Sequence, residues 1–265
     1  MSDANGSIFE GRTLDGGGLS SAWSDRLLPL VGVAGVVAAW WLGTHLSTGI
    51  IGMMTPERTA ANLVELLSSR RFLAEDVTAS LYRFAVALTL CVAVGLPAGL
   101  LVGYVRAAER LTTVVFQFLR IVSPIAWFPV AVAVLGAGTP AAVFVIFMAG
   151  VWPVVFNTAH GITTMDEDLI TVGESLGGDQ RALVRHVVLP AVLPDVLNGV
   201  RLAMGIGWII LVPAEMIGVD AGLGYTLLHA RDRFAYGEIP AVILVVGTIG
   251  YVLDYGLRRL QDRAR

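Results

Sequence analysis

The sequence predicts an all-α, polytopic membrane protein of about six transmembrane helices, and three observations carry that reading. Charged residues make up 15% of the chain, where a soluble domain carries roughly 25%, and the mean hydropathy is +0.73. The apolar residues are gathered into runs of about the 20 residues needed to cross roughly 30 Å of hydrocarbon. Glycine and proline recur inside those runs, as at Gly95, Pro97, Gly99 and Gly103, which membrane helices tolerate and soluble ones rarely do.

Residues 1–26 are polar, contain Gly16, Gly17 and Gly18, and hold too few large apolar side chains for a core, so they read as a mobile cytoplasmic tail ahead of a transmembrane domain over 27–265. The first run, 27–46, is longer than a signal-peptide core and has no clear small-residue cleavage site after it, so it reads as a retained membrane helix. Residues 55–83 change character. Pro56 suits a helix start, and Leu63, Leu66 and Leu67 share a face opposite Glu65, Arg70 and Arg71, which predicts an amphipathic connector and not a span. The second run covers 84–105, the third 111–135 and the fourth 141–159, with a charged stretch at 106–110 and a short turn at 136–140. Residues 160–195 carry Asp166, Glu167, Asp168, Glu174, Asp179, Arg181, Arg185 and His186 and cannot span. The fifth run, 196–217, is followed by a polar loop with Arg231, Asp232 and Arg233, and the sixth, 239–257, by Arg258, Arg259, Arg263 and Arg265. With both termini cytoplasmic, ten arginines fall inside (residues 12, 26, 106, 110, 181, 185, 258, 259, 263 and 265) against six outside (58, 70, 71, 83, 231 and 233), which favours that orientation and puts 160–195 inside.

Composition excludes several chemistries. Every basic residue is arginine, so there is no lysine for a Schiff base or a phosphate-binding loop. A net charge of -3 leaves no nucleic-acid footprint. The single cysteine, Cys91, lies in an apolar run and supports neither a disulfide framework nor a thiolate cluster. His45, His160, His186 and His229 are scattered singly and make no metal site. Gly173-Glu174-Ser175-Leu176-Gly177 matches the G-x-S-x-G nucleophile elbow, but that motif needs a strand before it and a helix after it in a soluble sheet, and the preceding residues are acidic and helix-compatible. The chain therefore reads as a non-enzyme.

The loop does resemble the signature loop of ABC importer permeases, whose pattern is Glu-Ala-Ala, three residues, glycine, nine residues, then Ile-x-Leu-Pro. With the glycine at Gly177, Val187, Leu189 and Pro190 keep the spacing, while the first three positions are Thr171, Val172 and Gly173, without the usual glutamate. Glu174 lies three residues on. The resemblance extends over about residues 73–254. Ser80-Leu81-Tyr82-Arg83, Ser123-Pro124-Ile125-Ala126-Trp127-Phe128-Pro129, Trp152-Pro153 with Asn157-Thr158, Gly199-Val200-Arg201-Leu202 and Ala214-Glu215-Met216 together are similar to the nitrate, sulfonate and bicarbonate branch.

The resemblance implies a type I ABC importer permease fold in a bacterial inner membrane. It further implies a second permease subunit, taken as another copy of this chain, a cytoplasmic ATPase dimer carrying ATP and Mg, and an extracytoplasmic substrate-binding protein, with no cofactor on this chain. The implied cargo is a small anion, nitrate or bicarbonate ahead of taurine or another alkanesulfonate. The alternatives are a permease for another small solute such as an amino acid, and an ion-driven secondary transporter, which would need a discontinuous-helix ion site and visible repeats. The implied ATPase-coupling residues are Thr171, Gly173, Glu174, Gly177, Arg181, Arg185, Leu189 and Pro190, with a sharp turn at Gly177 and Pro190 ending a second short helix. Charges within apolar runs default to pathway candidates. Arg120 and Arg201 lie near the cytoplasmic ends, where they can snorkel. Glu215, near the outer end of the fifth run, is a pathway or gate candidate, with an ion pair to an arginine as the alternative. Asn157 is a pathway candidate because a buried amide needs partners. Trp127 and Trp208 join it as candidates, with interface anchoring or packing as the other reading.

Overall fold

A computed structural model describes residues 20–264, and every regular element among them is helical. The described residues fall into two compact units, divided between Pro56 and Glu57. In the first, α1 (Ser20–Leu46) contains the expected first run. It begins at Ser20, so the last residues of the segment expected as a tail are helical, and the remainder, 1–19, lies outside the described residues. Leu30, Val36 and Leu46 on α1 are exposed, an arrangement that suits lipid and would be costly in water. The indole of Trp40 donates to the Met54 carbonyl at 3.0 Å, returning the chain after α1 toward that helix.

The connector expected over 55–83 is shorter than its composition suggests. α2 (Pro56–Ser68) is amphipathic, but from Phe72 the chain is already one continuous helix through Tyr104, made of a π-helical turn (Phe72–Val77) and α3 (Thr78–Tyr104). The polar residues at this end, Asp76, Ser80 and Arg83, are held by partners within the protein, so they do not mark the end of the helix.

Glycines fix how the central helices run. A Cβ on Gly95 would lie 2.8 Å from Val154 Cβ, one on Gly99 2.6 Å from Thr158 Cβ, and one on Gly103 2.9 Å from Ile162 Cβ. Both numbers rise together, so α3 and α6 (Thr139–Thr163) are parallel, packed at the close distance that small residues permit in membranes. Against α9 (Leu189–Gly218) the order reverses: Gly207 faces Ile146, Gly150 faces Ala203 and Gly161 faces Asp195, so α6 and α9 are antiparallel. α6 is the central helix, with 61% of its apolar window buried against 33% for the helix through α9.

Two parallel neighbours require the chain to return to its starting side between them. The third run makes that return as a broken helix. α4 (Arg106–Ile121) and a helical segment over Pro124–Leu135, which ends in α5 (Phe128–Leu135), meet at 95°. The sequence predicts one apolar run over 111–135. The break falls at Val122 and Ser123, both extended in ψ (128° and 126°), because a proline at 124 disfavours helical geometry in the residue before it. α7 (Glu167–Ser175) and α8 (Gln180–Leu183) form the polar loop, α10 (Leu223–Asp232) follows α9, and α11 (Glu238–Ala264) closes the chain. Arg201 pairs with Asp254 at 3.2 Å and Gln261 donates to the Leu197 carbonyl at 2.8 Å, so α11 ends at the same end of the bundle as the 160–195 loop.

Candidate functional site

Three places concentrate polar chemistry. At the loop end, the Asp166 carboxylate accepts from the Asp168 N–H at 3.0 Å and caps α7, and Asp179 caps α8 through the Ala182 N–H at 2.7 Å. α7 stops in a Schellman turn. The Gly178 N–H reaches the Gly173 carbonyl at 3.1 Å, the Gly177 N–H reaches that of Glu174 at 2.9 Å, and Gly177 has φ +79°, where a Cβ is penalised. Gly173 lets α8 fold back, since a Cβ there would meet Leu183 Cδ2 at 2.5 Å.

The hairpin carries an outward apolar ridge, Leu169, Val172 and Leu176, the last 83% exposed, beside exposed Thr171, Glu174, Arg181 and Arg185. Leu189 is half-buried. Pro190 does not end a helix: Gln180–Gly218 is continuous, and the π-helical turn Val184–Val188 just before the proline takes up its misfit. Ser175 Oγ donates to the Thr171 carbonyl at 2.8 Å, an exposed helical hydroxyl. Among the described residues no group of histidine, cysteine or carboxylate side chains forms a metal site.

The opposite end holds Glu215, which lines neither of the cavities described below and makes the ion pair with an arginine. It is fully buried, paired with Arg83 Nη1 at 2.7 Å, and accepts from Ser80 Oγ at 2.8 Å. Arg83 also donates to the Ala221 carbonyl at 2.7 Å and to Thr139 Oγ1 at 3.1 Å, tying α3 to α6 and to the turn before α10. Three successive N–H groups at the start of α10 are captured by side chains of other helices: Gly222 by Asp76 at 2.9 Å, Leu223 by Ser80 at 2.8 Å and Gly224 by Glu215 at 3.0 Å. These are the unsatisfied donors of a helix N-terminus, and two of the acceptors are carboxylates at its positive end. Gly222 and Gly224 make room, since Cβ atoms there would sit 2.6 Å from the Glu215 carboxylate and 2.3 Å from the Val212 carbonyl oxygen. Sequence reasoning named an arginine partner as the alternative for Glu215 but did not identify it. The only signal was Ser80 and Arg83 spaced i, i+3 on one helix face.

Midway along the bundle, a cavity of about 390 Å³ is lined by Arg120, Pro124, Trp152, Phe156 and Asn157 together with apolar residues of α6 and α9. It lies where the third span breaks. Arg120 therefore stands beside the middle of the bundle and not at its end, its guanidinium 5.2 Å from the Phe156 ring centroid. Asn157 donates to the Pro153 carbonyl at 2.8 Å and accepts from Asn198 at 2.9 Å. Trp127 and Trp208 do not line this cavity. Trp208 packs edge-on against Phe84 and donates to the Val246 carbonyl at 3.2 Å, locking α9 to α11. Trp127 lies half-buried in the turn after the break.

This architecture can be set against known proteins. Residues 95–265 match the family described as binding-protein-dependent transport system inner membrane component. This chain belongs to that family. The permease is 32% identical over 245 residues to the bicarbonate transport system permease protein CmpB of Synechococcus elongatus, covering 89% of this chain and 88% of that one. It is 33% identical over 179 residues to the nitrate import permease protein NrtB of Leptolyngbya laminosa, covering 68% and 64% respectively. A chain of the inward-facing MetNI methionine ABC transporter aligns with a TM-score of 0.62 at 17% identity, over 72% of this permease and 94% of that chain. The permease thus has the type I ABC importer permease fold and is a multi-pass membrane transport protein.

Proposed function

We propose that this permease is the membrane subunit of an ATP-driven importer for a small oxyanion, nitrate or bicarbonate ahead of taurine or another alkanesulfonate. The observation that carries the reading is its similarity, over 89% of its length, to a bicarbonate permease, with a nitrate permease also among its relatives. The methionine transporter is related at the level of fold and gives no weight to an amino-acid cargo. Two copies of the permease form the path, an extracytoplasmic binding protein delivers the anion, and a cytoplasmic ATPase dimer holding ATP and Mg drives the cycle. The α7–α8 hairpin suits the ATPase contact: its apolar ridge and its two arginines, four apart on one face, project from the bundle. Deleting the gene and following uptake of labelled nitrate, bicarbonate and taurine tests the cargo. Loss of nitrate or bicarbonate uptake is expected, and unchanged uptake of all three would sink the reading.

The membrane is the bacterial cytoplasmic membrane, with the 160–195 loop and the C-terminus inside, as the arginine balance favours. A cysteine placed at Asp179 in a Cys91→Ser background is therefore expected to resist membrane-impermeant maleimide in intact cells and to react after lysis. Labelling in intact cells would reverse the orientation.

A further inference from the structure

We propose that the cavity at the break of the third span is a mid-membrane binding site for a small trigonal oxyanion, held by the Arg120 guanidinium and the Trp152 indole N–H beside Asn157. The inference deepens the functional reading above and rests on it for the identity of the anion. Three observations lead here. Arg120 is the only charged residue lining the cavity, and no carboxylate accompanies it. Arg120 makes no ion pair among the described residues, its contact being with the Phe156 ring face. A permanent cation within an apolar run is costly unless it serves a polar path. Trp152, 8% exposed, also lines the cavity, and among the described residues its buried Nε1–H has no acceptor. A buried donor without a partner is rare in native structures, and Trp152, unlike the equally unpaired Trp127, has its donor on the cavity wall, where an anion can accept from it.

Chemistry and position select the ligand. A guanidinium presents paired N–H groups to two oxygens of a planar anion, and an indole N–H can only donate, so the site offers donors to the oxygens of nitrate or to the two unprotonated oxygens of bicarbonate. Asn157 gives one amide hydrogen to the Pro153 carbonyl and has a second to offer. The volume of about 390 Å³ holds a small anion with several of its waters, a water occupying about 30 Å³. A lipid headgroup presents the same oxyanion chemistry but belongs at the membrane surface, whereas the cavity lies beside the centre of α6. A second cavity, about 290 Å³ at the α10 end, suits an anion poorly: Glu65, Asp76 and Glu238 line it, and its arginines, Arg71 and Arg233, already pair with Glu75 and Glu238.

The test uses the complete importer in cells, with initial rates of labelled nitrate and bicarbonate uptake and permease content of the membranes measured together. The binding protein captures the anion before it reaches the permease, so loss of a membrane site shows in Vmax and not in apparent KM. Arg120→Gln is expected to lower Vmax at least tenfold, Arg120→Lys to keep part of it, and Trp152→Phe, which removes only the N–H, to lower it about threefold. Arg106→Gln, an exposed arginine away from the cavity, is expected to transport normally. ATP hydrolysis stimulated by loaded binding protein is expected to persist in Arg120→Gln, so that turnover continues without cargo. If Arg120→Gln fails to reach the membrane, Arg120→Lys and Trp152→Phe decide. Wild-type rates in the cavity variants, or an equal loss in Arg106→Gln, would overturn the site and leave the importer assignment standing. A wild-type importer that moves neither nitrate nor bicarbonate would overturn the ligand together with the functional reading.

Discussion

Replacing Glu215 with alanine is expected to destabilise the permease by about 3–5 kcal/mol, the cost of breaking a buried ion pair from one side. The side chain of Arg83 is 6% exposed, and without Glu215 its charge is left in the interior with only neutral acceptors. The same change strips the Gly224 N–H at the start of α10 and the Ser80 hydroxyl of an acceptor. Marginal stability makes a loss of this size visible as a fall in the amount of folded protein. Monodisperse yield after detergent extraction, together with the melting temperature of the extracted importer, measures it. Removing both charges in Arg83→Leu with Glu215→Leu is expected to recover part of the loss, because no uncompensated ion then remains. Recovery stays incomplete, since the Gly224 N–H keeps no acceptor. Wild-type yield and melting in Glu215→Ala would show that the network holds nothing together.

Hydropathy made most of the helices legible, because a run of apolar side chains needs no knowledge of its neighbours. Residues 141–159 and 196–217 lie inside α6 and α9, and 239–257 inside α11. It failed where polar groups are satisfied internally. The helix from Phe72 looked like a connector because Asp76, Ser80 and Arg83 sit on it, and only their partners 132 to 146 positions away make them compatible with the interior. The third run failed differently. Averaging over 111–135 cannot register a 95° bend, although Pro124 is in view, and the bend is what brings Arg120 beside Phe156 of α6. Asn157, a candidate from its chemistry alone, lines the cavity at that bend. Trp152 stood out in the sequence only as part of Trp152-Pro153, and an unpaired indole N–H is visible only once its surroundings are known.

Gly177→Asp is expected to leave the permease inserted and at normal abundance while abolishing uptake and loosening retention of the ATPase. The position separates local shape from folding. Nothing lies within 4 Å of where a Cβ would be, so no side chain of the permease is displaced, and the residue is exposed. What changes is the turn. At φ +79° an L-residue costs roughly 1–2 kcal/mol, and relaxation to negative φ would break the two hydrogen bonds closing α7 and swing the Leu169, Val172 and Leu176 ridge relative to Arg181 and Arg185. Aspartate tolerates the left-handed region better than most residues, so Gly177→Ala gives the comparison. If strain alone matters, alanine is the worse substitution. If the hairpin docks on the ATPase, the added carboxylate at the tip, beside the two arginines, makes aspartate the worse one. Uptake and ATPase pull-down from the same membranes read both effects, and normal transport with normal retention in Gly177→Asp would remove the hairpin as the coupling element.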